Sequence, residues 1–146
     1  MIERLACTVM PYAWGSRTAI AELQGRPAPA AQPEAELWMG AHPVAPSRVV
    51  REGAEPRPLP DLVAEAPERM LGAEAVRAFG ARLPFLLKVL AADQPLSLQA
   101  HPTAAQAKAG FEDEERRGVP LSAPHRNYKD PSHKPELLCA LTPFEA

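Results

Sequence analysis

Alternation of apolar and polar residues predicts a β-strand in the second half of the chain. Between Pro95 and Pro102 Leu or Ala occupies every second position, and Ser97, Gln99 and His101 lie between them. Because successive side chains of a strand point to opposite faces, the three polar side chains are expected on one face and the apolar ones on the other. The segment therefore predicts a strand with one apolar face and one polar face.

A second strand with the same alternation is predicted at Lys134–Leu141. It places Lys134 and Glu136 on one face, where their ammonium and carboxylate groups face the amide and imidazole of the first strand across a cavity. Side chains of these types bind hard or borderline divalent metals. Glutamine is an unusual zinc ligand, and the same spacing suits a polar strand face in water. Spacing alone therefore leaves open both a metal site and a solvated strand face.

The rest of the pattern predicts short strands and helices. Strands are predicted at Ile2–Met10, Glu36–Ala41, Ser47–Arg51 and Leu83–Ala92, and helices at Ala19–Gln24, at Pro60–Phe79 in two pieces, and from Thr103 to just before Gly118. Thr103 and Gln106 have the spacing of a capping box. Within residues 60–79, Pro67 and Gly72 interrupt the helical pattern. The architecture predicted is mainly β, α+β overall, with a helical insertion around residues 60–80 and a helix around residues 103–117.

Composition narrows the class of protein without identifying it. The chain has 146 residues, 46% of them apolar, and a net charge of −2, which gives no electrostatic reason to expect a nucleic acid or membrane partner. It has no apolar run of about 18 residues and no signal-peptide pattern at its start, so a cytoplasmic protein is expected. Cys7 and Cys139 lack the spacing of a redox or metal motif, and each is expected to be a buried free thiol.

Five sequence blocks together resemble the type I mannose-6-phosphate isomerases. They are YAWGS (Tyr12–Ser16), AELWMGAHP (Ala35–Pro43), LPFLLKVLAADQPLSLQAHP (Leu83–Pro102), NYKD (Asn127–Asp130) and HKPELLCALTPFEA (His133–Ala146). The resemblance implies that residues 1–146 are the N-terminal part of a catalytic domain, a partial cupin-like jelly-roll barrel. It also implies one zinc ion (Zn2+) and the interconversion of mannose 6-phosphate and fructose 6-phosphate through an enediol.

The resemblance also assigns roles to individual residues. It makes Gln99, His101 and Glu136 three of the four zinc ligands, and the fourth family ligand is a histidine beyond residue 146. It makes Ser97 and Lys134 the candidate catalytic residues. The resemblance implies that Ser97 and Lys134 also bind the sugar phosphate. It adds three further candidates for substrate binding, which are Trp14, Glu36 and Lys88. Independently of the family, Lys88 lies in an apolar run, so its ammonium must reach water, pair with an acid or face a site.

Other polar residues receive no site role. His42 is interpreted as a hydrogen-bonded structural histidine and His125 as a solvated one. His133 points to the strand face opposite Glu136, which excludes it as a ligand of the same ion. The run Glu112–Arg117 is interpreted as a solvated helix end.

Two other functions compete with the zinc-dependent isomerase. The first is a non-catalytic, cupin-like module that binds a sugar phosphate or assembles with a partner, which the position of the fourth ligand favours. The second is an iron-dependent cupin oxygenase, which needs two histidines and a carboxylate, whereas one well-placed histidine is visible. Unfinished barrel edges would also favour self-association.

Overall fold

The computed structural model describes residues 2–143, and these form two compact units. The first unit runs to Leu96 and the second begins at Ser97. The last three residues of the resemblance block that begins at His133 lie outside the described residues. None of the helices in the described part of the chain combines the length and hydrophobicity needed to span a bilayer.

The first unit contains two antiparallel sheets of three strands each. The strands are β1 (Arg4–Ala6), β2 (Thr8–Met10), β3 (Glu36–Met39), β4 (Arg48–Val50), β5 (Arg57–Pro58) and β6 (Leu87–Leu90). One sheet has the order β1-β4-β5 and the other β2-β3-β6. The predicted α+β class is confirmed, but residues 2–143 are not mainly β, because their helices contain more residues than their strands, and they form no closed barrel.

Residues 2–143 also contain five helices. They are α1 (Ala19–Leu23), α2 (Leu59–Glu65), α3 (Pro67–Leu71), α4 (Ala73–Phe79) and α5 (Ala104–Arg116). The helical segment is in three pieces rather than the predicted two, because Pro67 begins a new helix and Gly72 has a φ of 86°. The predicted capping box at Thr103 is confirmed, since the Thr103 and Gln106 side chains each accept a hydrogen bond from the other's backbone N–H.

The two strands predicted in the second unit are not formed. Pro95–Pro102 and Lys134–Leu141 are irregular and are not paired in a sheet within the described part of the chain. A strand needs another backbone to satisfy its N–H and C=O groups, and alternation of side chains does not supply one. The side chains of Leu98 and Leu137, expected on covered apolar faces, are fully exposed.

One cluster of the first unit's core lies against the sheet β2-β3-β6. The buried residues of this cluster are Ile20, Leu37 and Ala91, and Cys7, Val9 and Val89 pack around them. The thiols of Cys7 and Cys139 are both free, but Cys7 is half-buried and Cys139 is exposed, so the expectation of two buried thiols is wrong. Cys139 is exposed because it lies in the unpaired segment that was predicted as a strand.

Candidate functional site

The second unit contains an open cleft of about 640 Å³ that gathers several predicted site residues. Its lining comprises Gln99, Ala100, His101, Pro102, Gln106, Asn127, Tyr128, Lys129, Asp130, Ser132 and Lys134. Gln99, His101 and Lys134 come from segments more than 30 residues apart in sequence. The capping box at the start of α5 fixes the backbone immediately after His101, since Thr103 is the N-cap residue.

The imidazole of His101 lies next to the carboxylate of Glu136. His101 Nε2 is 3.9 Å from Glu136 Oε2, and both side chains are partly exposed. Two zinc bonds of about 2.0–2.2 Å at a tetrahedral angle place their ligand atoms about 3.4 Å apart. The pair is therefore slightly wider than a shared zinc ion requires, and a side-chain movement of about half an ångström would bring both atoms to that spacing. Gln99 lines the same cleft as His101, and its amide oxygen is a further candidate donor. Within residues 2–143, no cluster of three or more His, Cys, Asp and Glu residues is placed to hold a metal.

Lys134 is held at the edge of the cleft by an acid that the sequence analysis did not select. Its Nζ lies 2.6 Å from Asp130 Oδ2 and donates a longer hydrogen bond of 3.4 Å to the main-chain carbonyl of Ser132. Half of the Lys134 side chain remains exposed, so the ammonium is accessible to an anion. Ser97 is also exposed, but it is not among the residues that line the cleft in the described structure.

The other three predicted substrate-binding residues lie in the first unit, where the sheet β2-β3-β6 brings two of them together. Lys88 on β6 is opposite Trp38 on β3. Trp38 lies two residues after Glu36 on the same strand, so the three side chains share one face of the sheet. The buried Glu36 carboxylate accepts a hydrogen bond of 2.6 Å from Trp38 Nε1, and its Oε1 lies 3.4 Å from Lys88 Nζ. The acid that Lys88 needs inside its apolar run is therefore Glu36.

Two aromatic residues beside this pair were missed by the sequence analysis. Trp38 holds Glu36 through its indole N–H, and strand alternation from Glu36 was sufficient to find it. Tyr12 stacks on Trp14 with ring centroids 5.8 Å apart, and Trp14 is half-buried. The interpretation of His42 as a structural histidine is confirmed, because its Nδ1 accepts a hydrogen bond from the Val44 N–H and its ring packs on the edge of Trp38.

The electrostatic effect of Glu36 on Tyr12 gives a direct test of this arrangement. Burial raises the pKa of Tyr12, and the Glu36 carboxylate raises it further while Lys88 opposes the rise. We expect Glu36→Gln to lower the pKa of Tyr12 towards the ordinary tyrosine value of about 10. The phenolate absorbance of Tyr12 can be titrated alone in a Tyr128→Phe background. Glu22→Gln on the exposed side of α1 is the control, and an equal pKa in Glu36→Gln and its parent would contradict the assignment.

The interpretation of residues 112–117 as a solvated helix end is wrong at Glu114. This side chain is buried, and its carboxylate accepts hydrogen bonds from the main-chain N–H groups of Asn127 at 3.0 Å and Tyr128 at 2.8 Å. These bonds hold the pKa of the Glu114 carboxyl below its ordinary value. Their contribution to stability is therefore present above the unfolded pKa of about 4.3 and is lost as the pH falls through the lower folded value.

Comparisons with known proteins give one consistent result. The family model for the phosphomannose isomerase type I catalytic domain matches residues 2–146. Mannose-6-phosphate isomerases of Escherichia coli (strain K12) and Homo sapiens are 49% identical over 145 residues and 38% identical over 149 residues. These alignments cover 99% and 97% of this chain, but only 37% and 33% of the two relatives.

Solved structures agree with the sequence comparison. A crystal structure of mannose 6-phosphate isomerase from Salmonella typhimurium, bound to the substrate fructose 6-phosphate and a zinc atom, is similar with a TM-score of 0.78 and 48% identity. A zinc-bound mannose 6-phosphate isomerase structure has a TM-score of 0.79. Each match covers 90% of this chain and 33% of the solved chain. The chain thus spans about a third of the length of the relatives it matches.

Proposed function

Because the chain belongs to the type I phosphomannose isomerase family, we propose that it contributes the N-terminal part of a zinc-dependent isomerase that interconverts mannose 6-phosphate and fructose 6-phosphate. The observation that carries this proposal is the pairing of His101 with Glu136 in the unit whose cleft also contains Gln99 and Lys134. The E. coli and Salmonella relatives are mannose-6-phosphate isomerases, and the Salmonella protein binds fructose 6-phosphate and zinc.

Gln99, His101 and Glu136 are the proposed zinc ligands. His101 would offer an imidazole nitrogen, Glu136 a carboxylate oxygen and its negative charge, and Gln99 an amide oxygen. When bound, zinc supplies the positive charge that stabilises the negative charge developing on the sugar oxygens as a proton is removed next to the carbonyl. The isomerisation moves the carbonyl between C1 and C2 without net oxidation, which suits a redox-inert metal.

Lys134 and Ser97 are the proposed catalytic residues and also bind substrate. An ammonium that is half exposed beside the cleft suits a phosphate or sugar oxygen, and the exposed hydroxyl of Ser97 is available as a donor or acceptor. Trp14, Glu36 and Lys88 are proposed to bind the sugar phosphate as well. The buried Glu36 and its contact with the half-buried Lys88 support this role, because withdrawing an acid from water beside a base costs desolvation that an ordinary sheet surface avoids.

The proposed function also implies a more specific fold. We assign residues 1–146 to a single cupin-like jelly-roll catalytic domain, in which α2, α3 and α4 are the helical insertion and α5 is the later helix. The exposed leucines of the two unpaired segments, Leu98 and Leu137, support self-association through open edges. We also propose a cytoplasmic location.

A measurement of turnover tests the proposed function directly. Purified protein should convert mannose 6-phosphate to fructose 6-phosphate in the presence of zinc, and a chelator should abolish the conversion. Bound zinc and bound fructose 6-phosphate without turnover would support a non-catalytic sugar-phosphate module instead. A chain that binds neither zinc nor fructose 6-phosphate would contradict both functions.

The role of Lys134 has its own prediction. We expect Lys134→Met to raise the dissociation constant for fructose 6-phosphate roughly 10- to 100-fold, since charge-assisted hydrogen bonds contribute about 1.5–3 kcal/mol. The zinc content should not change, because Lys134 is not a proposed ligand. Calorimetric titration and metal analysis of the same sample separate the two effects. Lys108→Met, at an exposed position on α5, is the matched control, and an unchanged dissociation constant in Lys134→Met would refute the role.

A further inference from the structure

A buried acid of α5 holds the loop that forms one wall of the cleft. Glu114 is 6% exposed, and its two carboxylate oxygens accept separate hydrogen bonds from the main-chain N–H groups of Asn127 and Tyr128. Two adjacent N–H groups thus converge on one carboxylate. An amide side chain in its place has a single acceptor oxygen, so one of the two N–H groups would lose its partner.

A buried arginine completes the anchor. The Arg126 side chain is fully buried, with Nε 3.4 Å from Glu114 Oε2 and Nη2 2.7 Å from Glu115 Oε1. The Arg126 guanidinium lies 5.0 Å from the centroid of the Phe111 ring, and its Nε donates a hydrogen bond of 2.8 Å to the Tyr128 carbonyl. Both the N–H and the C=O of Tyr128 are therefore bound by charged groups of this network.

The surface of α5 is shaped to receive the same loop. A Cβ atom on Gly110 would lie 2.4 Å from Cε2 and Cζ of the Tyr128 ring, well inside van der Waals contact. Glycine in a helix interior costs about 1 kcal/mol relative to alanine. Close packing of the Tyr128 ring on the helix is the feature of the structure that explains a glycine at this position.

The loop ends at the acid that holds Lys134. Asp130 Oδ2 lies 2.6 Å from Lys134 Nζ, and Asp130 Oδ1 accepts a hydrogen bond from the Ser132 N–H at 2.9 Å. Tyr128, Asp130 and Lys134 all line the cleft. A continuous series of contacts therefore runs from Glu114 through the loop backbone to the ammonium of Lys134.

We propose that Glu114 is a positioning residue for substrate: it fixes the loop Asn127–Asp130, and the loop's Asp130 holds Lys134 where it binds the sugar phosphate. This inference rests on the proposed function, and it adds to it a residue that does not touch the cleft. The Glu114 carboxylate accepts two main-chain N–H groups, and the Arg126 guanidinium lies between the carboxylates of Glu114 and Glu115, although its Nη2 makes no hydrogen bond of good geometry to any described residue. A ligand that meets a preorganised Lys134 avoids the entropy cost of ordering that side chain.

Glu114→Gln provides the test in the full 146-residue chain. We expect amide hydrogen exchange at Asn127 and Tyr128 to accelerate at least about 10-fold, because one N–H loses its acceptor and the loop opens more often. The dissociation constant for fructose 6-phosphate should rise about 10-fold, the size typical of losing an outer positioning contact. Zinc content should be unchanged. Glu112→Gln, at an exposed position on the same helix, should leave all three measurements unaltered.

A double-variant cycle distinguishes positioning from a general loss of stability. If Glu114 acts through Asp130, adding Glu114→Gln to Asp130→Asn should weaken fructose 6-phosphate binding no further than the stronger single variant. Factors that multiply, or unchanged amide exchange in Glu114→Gln, would overturn the positioning role alone. A parent chain that binds no fructose 6-phosphate would overturn the proposed function and this inference with it.

Asp130→Asn provides a second route if Glu114→Gln does not fold. It leaves the network of Glu114 and Arg126 intact, and the Asp130 side chain is partly exposed, so folding is not at risk. We expect the dissociation constant for fructose 6-phosphate to rise about 10-fold with amide protection at Asn127 and Tyr128 unchanged. An unchanged dissociation constant would overturn the proposal.

Discussion

Replacing His101 by alanine should remove stoichiometric zinc and reduce isomerase turnover more than about 100-fold. The imidazole is the nitrogen donor among the three proposed ligands of this chain, and its partner Glu136 lies 3.9 Å from it. Without it, Gln99 and Glu136 retain only oxygen donors, which bind zinc less tightly than a site that includes histidine. The loss of metal should therefore precede, and account for, the loss of turnover.

The measurement is zinc content after gel filtration, together with turnover at saturating mannose 6-phosphate. Glu136→Gln should lower zinc affinity as well, because it removes the one negative charge among the three ligands, and Gln99→Ala should have a smaller effect because an amide oxygen is a neutral donor. His125→Ala is the matched control, since His125 is exposed and is not proposed as a ligand. Full zinc occupancy in all three ligand variants would rule out this metal site.

Sequence patterns predicted local structure well where the local residues determine it. The capping box at Thr103 depends on two side chains three residues apart, and α1 ends at Leu23, two residues before Gly25, whose φ of 66° suits glycine. The confirmed features have in common that their hydrogen-bond partners lie within a few residues. No distant contact is required to form them.

The same patterns failed where a distant partner decides the outcome. Alternation at residues 95–102 and 134–141 specifies which side chains share a face, but a strand forms only when another backbone pairs with it. Residues 2–143 supply no such pairing, and Leu98 and Leu137 are fully exposed. The alternation still has a consequence, because Gln99 and His101, two residues apart, both line the cleft.

Long-range polar contacts explain the residues that the sequence analysis missed. Glu114 lies in a run of six charged residues, so its charge pattern alone indicates solvent. The hydrogen bonds that explain its burial come from Asn127 and Tyr128, 13 and 14 residues later. The Asp130 that holds Lys134 is similarly part of a loop with no periodic pattern.

The largest effect on folding is expected for Gly15→Ala. An added Cβ at Gly15 would lie 2.5 Å from the backbone nitrogen and 2.6 Å from the Cα of Ala35, and both atoms belong to main chain that cannot rotate away. The Ala35 backbone is fixed on both sides, since its N–H donates to the Met10 carbonyl and its carbonyl accepts from Ala91 N–H. Relief of the clash must therefore separate backbone segments that cover the buried core around Ile20.

Overpacking of this kind typically costs about 1–3 kcal/mol, and contact with main chain favours the upper end of that range. For a chain of this size we expect the melting temperature to fall by roughly 6–12 °C. Gly25→Ala is the matched control: no atom lies within 4 Å of its added Cβ, so only the strain of its φ of 66° remains. That strain costs about 1–2 kcal/mol, so Gly15→Ala should be the less stable of the two variants.

Gly15 also lies next to Trp14, one of the residues proposed to bind the sugar phosphate. Trp14 immediately precedes it, and the Trp14 carbonyl accepts hydrogen bonds from the N–H groups of Asp93 and Gln94. If Gly15→Ala shifts this backbone, the fluorescence of the chain's two tryptophans below the melting transition should differ from that of the parent chain. In Gly25→Ala it should equal that of the parent chain. Equal melting temperatures for Gly15→Ala and the parent chain would mean that the close approach of Gly15 to Ala35 is not maintained in solution.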